Sequence, residues 1–190
     1  FMEKKVGALN KDVSFNTIHI HDWLAAPAGI AAKHCLNKPM VATVHSTEAG
    51  RAQGLHSPDS YLVDGWEWWM TYEANRVIVV SDSVKWEIHN HFRTPQDKID
   101  VIPNGIDVTR YQKERPRDSF RRLYGVDPHE KLVLFIGRLA PQKGVEYLIW
   151  TMPSIVPHCP EAKFIITGDG WSRSYLEGLA NSTGCGNETR

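Results

Sequence analysis

Two kinds of segment alternate along this chain. Short runs rich in Val and Ile, each closing on a small, polar or glycine residue, are separated by stretches with helical periodicity. Strands are predicted at 17–21, 40–45, 76–81, 98–102, 132–137 and 163–168, and helices at 26–35, 59–75, 83–91, 117–124, 144–155 and 172–180. Several strand runs are nearly continuous in β-branched residues, as happens when helices cover both faces of a parallel sheet. An all-helical bundle is excluded, and the expected class is α/β.

The 190 residues suffice for one sizeable domain or two small ones. Pro103-Asn104-Gly105-Ile106-Asp107 breaks the alternation, and a charged stretch follows to about Glu130. The expected organisation is a first domain over 1–102, a connector over 103–130 and a second domain from 131 to 190. Both ends are expected to be cut: residues 1–5 read as the tail of a helix, and 186–190 carry no stop signal.

Composition removes several function classes. Hydrophobic residues make up 42% and charged residues 23%, and no apolar run approaches the roughly 20 residues that span a bilayer. Lys plus Arg number 22 against 22 Asp plus Glu, so the field that draws nucleic acid is missing. Arg110, Lys113, Arg115, Arg117, Arg121 and Arg122 crowd the connector, but Asp107, Glu114 and Asp118 lie among them, and a solvated face is expected. Cys35, Cys159 and Cys185 are scattered without CxxC spacing, which argues against a disulfide framework or structural zinc and for a reducing, cytoplasmic setting. The N-x-[ST] strings at Asn181 and Asn187 are read as chance occurrences.

In the second predicted helix, Leu62, Trp66, Trp69, Met70 and Glu73 share one face by spacing. Core packing is expected of it, with an aromatic platform for a sugar as the alternative. His19 and His21 point to one side of a strand but have no assured third ligand, and His89 and His91 diverge on a helix, so no metal site is expected. No G-x-S-x-G elbow surrounds any serine.

The sharpest constellation runs from Phe135 to Glu146, a strand that stops at Gly137 and reopens as a helix near Gly144, with Arg138 and Lys143 in the turn. Loops after the carboxyl ends of parallel strands bind ligands, and the following helix offers free N–H groups and a positive dipole end. Arg138 supplies a planar fork and Lys143 a point charge, which suits two neighbouring phosphoryl groups at about 1.5–3 kcal/mol per charged hydrogen bond. The rival reading is two side chains snorkelling at a helix start.

This turn resembles the GR-L-x-x-x-K-G motif of the retaining GT-B glycosyltransferases of the glycogen and starch synthase-like group, the glycosyltransferase family 4 type. His21-Asp22-Trp23, Thr43-Val44-His45, Val79-Val80-Ser81, Pro103-Asn104-Gly105-Ile106-Asp107 and Thr167-Gly168-Asp169-Gly170 are similar to further elements of that family, in the same order. The resemblance implies two Rossmann-like domains, both incomplete here, with the family's Gly-rich loop falling before Phe1 and its paired glutamates beyond Arg190. It also implies transfer of a sugar, glucose by expectation, from a nucleoside diphosphate donor to a carbohydrate acceptor with retention, without a metal or other cofactor.

Carried over by position, Arg138 and Lys143 would hold the donor diphosphate beside Gly137, and His45 would reach the donor sugar. Asn104 would lie near the cleft, or simply tolerate left-handed backbone in a hinge. Asp22 is expected to cap the following helix. A share with Trp23 in the acceptor side is its alternative. Glu48 and Arg51 are expected either to bond sugar hydroxyls there or to pair with each other. Alternatives for the whole are a nucleotide-sugar 2-epimerase of the same architecture and a truncated, non-catalytic binding partner.

Overall fold

The structure, a computed structural model, describes Lys5 and residues 15–112 and 117–184. The expectations for residues 1–4, Lys113, Arg115, Cys185 and Asn187 lie outside the described residues. The chain forms two compact units, Phe1–Ile106 and Asp107–Arg190, each with its own parallel sheet.

The first unit holds four parallel strands in the order β1 (Ile18–His21), β2 (Met40–Val44), β3 (Arg76–Val79), β4 (Ile99–Val101). Ile18 stands opposite Met40, Val41 opposite Arg76 and Val77 opposite Ile99. Parallel neighbours need crossovers. These are α1 (Ala26–Leu36), then α2 (Glu48–Ala52) with α3 (Pro58–Glu73), then α4 (Asp82–Phe92). Ile20, Met40, Ala42, Val44, Met70, Val77, Val79 and Ile88 form the core, the most exposed of them at 6%. Each larger side chain of that set contributes roughly 1.5–3 kcal/mol by leaving water.

One predicted strand stops early because its last residue begins a helix. The Ser81 hydroxyl accepts the Val84 N–H at the start of α4, so β3 ends at Val79 rather than at 81. At α3, Ser57 and Ser60 cap each other reciprocally around Pro58. The short helix α2 was not expected from the sequence.

The apolar face expected on α3 is displaced. Met70 is fully buried and Trp66 packs partly against the core, but Leu62 is 60% and Trp69 41% exposed. The buried stripe is instead Ser60, Val63, Glu67, Met70 and Thr71, while Glu73 binds Lys33 and His34.

The second unit contains α5 (Arg117–Leu123), β5 (Lys131–Ile136), α6 (Val145–Ile155), β6 (Ala162–Thr167) and α7 (Arg173–Ser182). The two strands pair in parallel from Lys131 opposite Ala162 to Ile136 opposite Thr167. Val145, Ile149, Met152, Phe164, Leu176 and Ala180 form its core. The unit boundary falls inside the stretch expected as a connector, and the later part of that stretch is built into the second unit. There the Arg121 guanidinium donates to the carbonyls of Asp127 and Glu130, and Val126 is buried, so Arg121 is not part of a merely solvated face. Among the described residues, no helix is long and apolar enough to cross a membrane.

Candidate functional site

In the first unit the candidate residues gather at the carboxyl ends of β1 and β2. His45 directly follows β2, and its backbone N–H donates to Asp22 Oδ1 at 2.9 Å. The Asp22 N–H in turn donates to the Thr43 carbonyl at 2.9 Å. Asp22 sits at φ 55°, ψ 175°, a conformation that costs a non-glycine residue about 1–3 kcal/mol. Its expected capping role is corrected: the side chain makes no cap bond to the turn Trp23–Ala25 and holds the His45 peptide instead.

His45 Nε2 and His21 Nδ1 lie within hydrogen-bond distance at 3.1 Å, with ring centroids 5.4 Å apart. His19 stacks on His21 at 4.6 Å and bonds Thr43 Oγ1 through Nε2 at 2.8 Å. Burial and then the neighbouring His21 hold the His19 imidazole below its ordinary range. His89 meets the Thr94 carbonyl and His91 meets Asp64, so these two diverge as expected. Among the described residues no group of three His, Cys, Asp or Glu is placed to hold a metal ion.

The loop after His45 is braced from two helices. Thr47 Oγ1 accepts the Gly50 N–H at 3.0 Å to start α2 and donates to the Glu87 carboxylate of α4. A Cβ on Gly50 would stand 2.6 Å from Glu87 Oε1, so glycine is what lets that carboxylate approach. From α3, Glu67 accepts the Glu48 N–H with both oxygens, at 3.0 and 2.8 Å. Arg51 joins the parts: Nη2 donates to Glu48 Oε2 at 2.8 Å and Glu67 Oε1 at 3.2 Å, and Nη1 donates to the Ser46 carbonyl and hydroxyl at 2.9 and 3.0 Å. Glu48 and Arg51 thus pair with each other, as one of the two sequence readings held.

Glu67 is 1% exposed. Burial pushes its carboxyl up to about 7, against the opposing pull of the Glu48 N–H and the Arg51 guanidinium. Burial also works against the Arg51 charge, but the Glu48 bond and the two carboxylates carry its proton affinity above the ordinary value. Sequence reasoning missed Glu67, Glu87 and the partnership of His21 with His45. The available signal was an acid at a stripe position, with Val63 four residues before it and Met70 three after.

In the second unit the candidate is the turn between β5 and α6. Gly137 N–H donates to the Thr167 carbonyl at 3.0 Å and Leu139 N–H to the Asp169 carbonyl at 2.9 Å, stitching this turn to the one after β6. The approach is so close that a Cβ on Gly168 would lie 1.8 Å from the Gly137 carbonyl oxygen. Leu139 and Ala140 are buried beneath the turn, which leaves Arg138 and Lys143 on its exposed side. Gly144, at φ 63°, ends the tight turn Pro141–Lys143 and starts the 11-residue α6, whose N-terminus no side chain caps. Among the described residues neither the Arg138 guanidinium nor the Lys143 ammonium has a hydrogen-bond or ion-pair partner. Both cations are exposed in the turn that leads into the uncapped N-terminus of α6, an end that carries positive partial charge. Asn104 lies in the exposed segment 102–107 of the chain.

The structure therefore brings His45, Asp22, Glu48 and Arg51 together in one unit and Gly137, Arg138 and Lys143 together in the other. Parallel α/β units with candidate residues at the carboxyl ends of their strands are Rossmann-like, the kind of unit from which the GT-B fold is built. Residues 4–110 match the family model of glycosyltransferase family 4, and residues 116–190 match that of the glycosyl transferases group 1. The chain belongs to this glycosyltransferase family.

It is 44% identical to an uncharacterized glycosyltransferase of Methanocaldococcus jannaschii over 96% of this chain and 47% of that protein. It is 35% identical to a glycogen synthase of Mycobacterium tuberculosis over 85% of this chain and 37% of that protein, and 27% identical to a D-inositol 3-phosphate glycosyltransferase of Rhodococcus opacus over 90% and 40%. The fold matches Anabaena HepE crystallised with UDP and glucose, with a TM-score of 0.81 at 22% identity over all of this chain and 50% of that one. The chain thus spans half or less of the length of these proteins.

Proposed function

We propose that this chain supplies part of the site of a retaining glycosyltransferase that moves a sugar, glucose, from a nucleoside diphosphate donor to a carbohydrate acceptor in the manner of glycogen synthases. The single observation that carries this reading is the unpartnered pair Arg138 and Lys143, pinned by buried Leu139 and Ala140 beside the open N-terminus of α6. A diphosphate needs fixed positive charge before and after its bond to the sugar breaks, and a cation pair that costs no reorganisation stabilises the leaving nucleotide. Similarity to a glycogen synthase at 35% identity supports the glucosyl choice over the 27% inositol phosphate relative.

In this reading Arg138 grips the diphosphate in two-pronged fashion, Lys143 neutralises it as a point charge, and Gly137 keeps the backbone close. His45 contacts the donor sugar, with Asn104 beside it. Asp22 and Trp23 serve the acceptor side, where Glu48 and Arg51 act through the loop they brace. No cofactor takes part.

The test is turnover of UDP-glucose and ADP-glucose by the full-length protein. Arg138→Ala and Lys143→Ala are each expected to lower kcat/KM or donor affinity at least tenfold, about 1.4 kcal/mol. Arg122→Ala, an exposed cation on α5, is expected to leave both unchanged. Equal losses at all three positions, or none at Arg138, would refute the diphosphate site.

A further inference from the structure

Of the groups in the first unit, the strangest chemically is a carboxylate in the buried stripe of α3. Glu67 occupies a position between Val63 and Met70 where an aliphatic side chain would fill the space without any desolvation cost. Replacing a buried ion pair by apolar groups is often neutral or stabilising, so stability alone gives no reason for an acid there. What the carboxylate does is geometric. It takes the Glu48 N–H on both oxygens and meets Arg51, whose other prong holds the carbonyl and hydroxyl of Ser46, the residue adjoining His45. Asp22 fixes the His45 peptide itself, and Glu87 fixes Thr47. The loop is therefore held at His45, Ser46, Thr47 and Glu48 in succession, and two of those four grips trace back to Glu67.

We propose that Glu67 is a positioning residue for His45: from beneath the loop it sets, through Arg51 and the Glu48 peptide, where the imidazole reaches. This rests on the reading of His45 as a donor-sugar contact. Misplacement of a contact group by even an ångström lowers rate strongly while leaving the fold intact.

A double-mutant cycle tests it in the full-length protein, with UDP-glucose and ADP-glucose as donors and kcat and KM read separately. Glu67→Gln keeps the shape and one acceptor oxygen but sets an NH2 donor where the second oxygen had faced the Glu48 N–H or Arg51. It is expected to lower kcat/KM about tenfold or more, as is His45→Ala, and the double variant is expected to be no worse than His45→Ala alone. Penalties that multiply would overturn the proposal, because Glu67 would then act independently of His45. An unaffected His45→Ala would overturn the underlying reading and the positioning role with it, and is distinguishable from the first failure. If Glu67→Gln does not fold, Arg51→Lys, which cannot bridge Ser46 and Glu67 at once, gives the same cycle with the same two outcomes.

Discussion

Glu67 also makes the stability of the first unit depend on pH, in a direction opposite to that of most carboxylates. Its carboxyl ordinarily loses its proton near 4.5 and here holds it to about 7, with burial as the main cause. The folded state therefore binds the proton more tightly than the unfolded chain does. Its stabilising contribution is complete below about pH 4.5, falls progressively as pH rises and is gone above about pH 7. At 1.36 kcal/mol per pH decade the loss is about 3 kcal/mol.

The groups that face Glu67 are Glu48 and Arg51 on α2 and Asp64 on α3; Asp64 is itself paired with His91 of α4, and Glu87 lies across the loop on Thr47. The Asp64–His91 pair is common to the wild type and the variant, so the useful quantity is a difference between proteins. Urea unfolding of the wild type and Glu67→Gln at half-unit steps from pH 4.5 to 8, followed by the fluorescence of the first unit's tryptophans, isolates it. The wild type is expected to lose about 3 kcal/mol more than the variant over this range. A flat difference would show that Arg51 keeps Glu67 ionised throughout, and a difference of opposite sign would show that pairing outweighs burial. Either result would rule out burial as the dominant influence on Glu67.

Two further outcomes concern the second unit. Gly168→Ala places a methyl 1.8 Å from the Gly137 carbonyl oxygen, and separating the two stitched turns is expected to cost about 3 kcal/mol, read as a lowered melting temperature. A loss below about 0.5 kcal/mol would mean the turns part freely. Arg121→Ala removes the donors that hold the Asp127 and Glu130 carbonyls, and about 1–2 kcal/mol of destabilisation in urea is expected without any change in donor affinity; a silent variant would return Arg121 to the solvated face.

The alternation of strands and helices was legible because parallel strands buried on both faces leave Val and Ile runs that need no knowledge of their neighbours. The turn at Arg138 and Lys143 was legible for a similar reason, since glycines and cations at fixed offsets act locally. The first unit's site was harder to see. Most of its grips join residues 16 to 40 positions apart, such as Arg51 with Glu67 and Thr47 with Glu87, and no local pattern announces such a pair.

The misplaced face of α3 has the same origin. Helical spacing gives the period of a stripe but not its phase when aromatic residues surround the helix, and Trp69 and Leu62 drew the expected face away from Val63 and Glu67. An acid lying on the true stripe made the core face look polar. Asp22 was misjudged because an Asp ahead of a helical turn normally caps it, and only the strained backbone at φ 55° turns its carboxylate back toward His45. In both cases a local rule failed where a carboxylate had been diverted to hold the same loop. Local rules are expected to fail where side chains serve a site rather than their own element, so these two failures falling beside one histidine are themselves an argument for where the chemistry of the first unit lies.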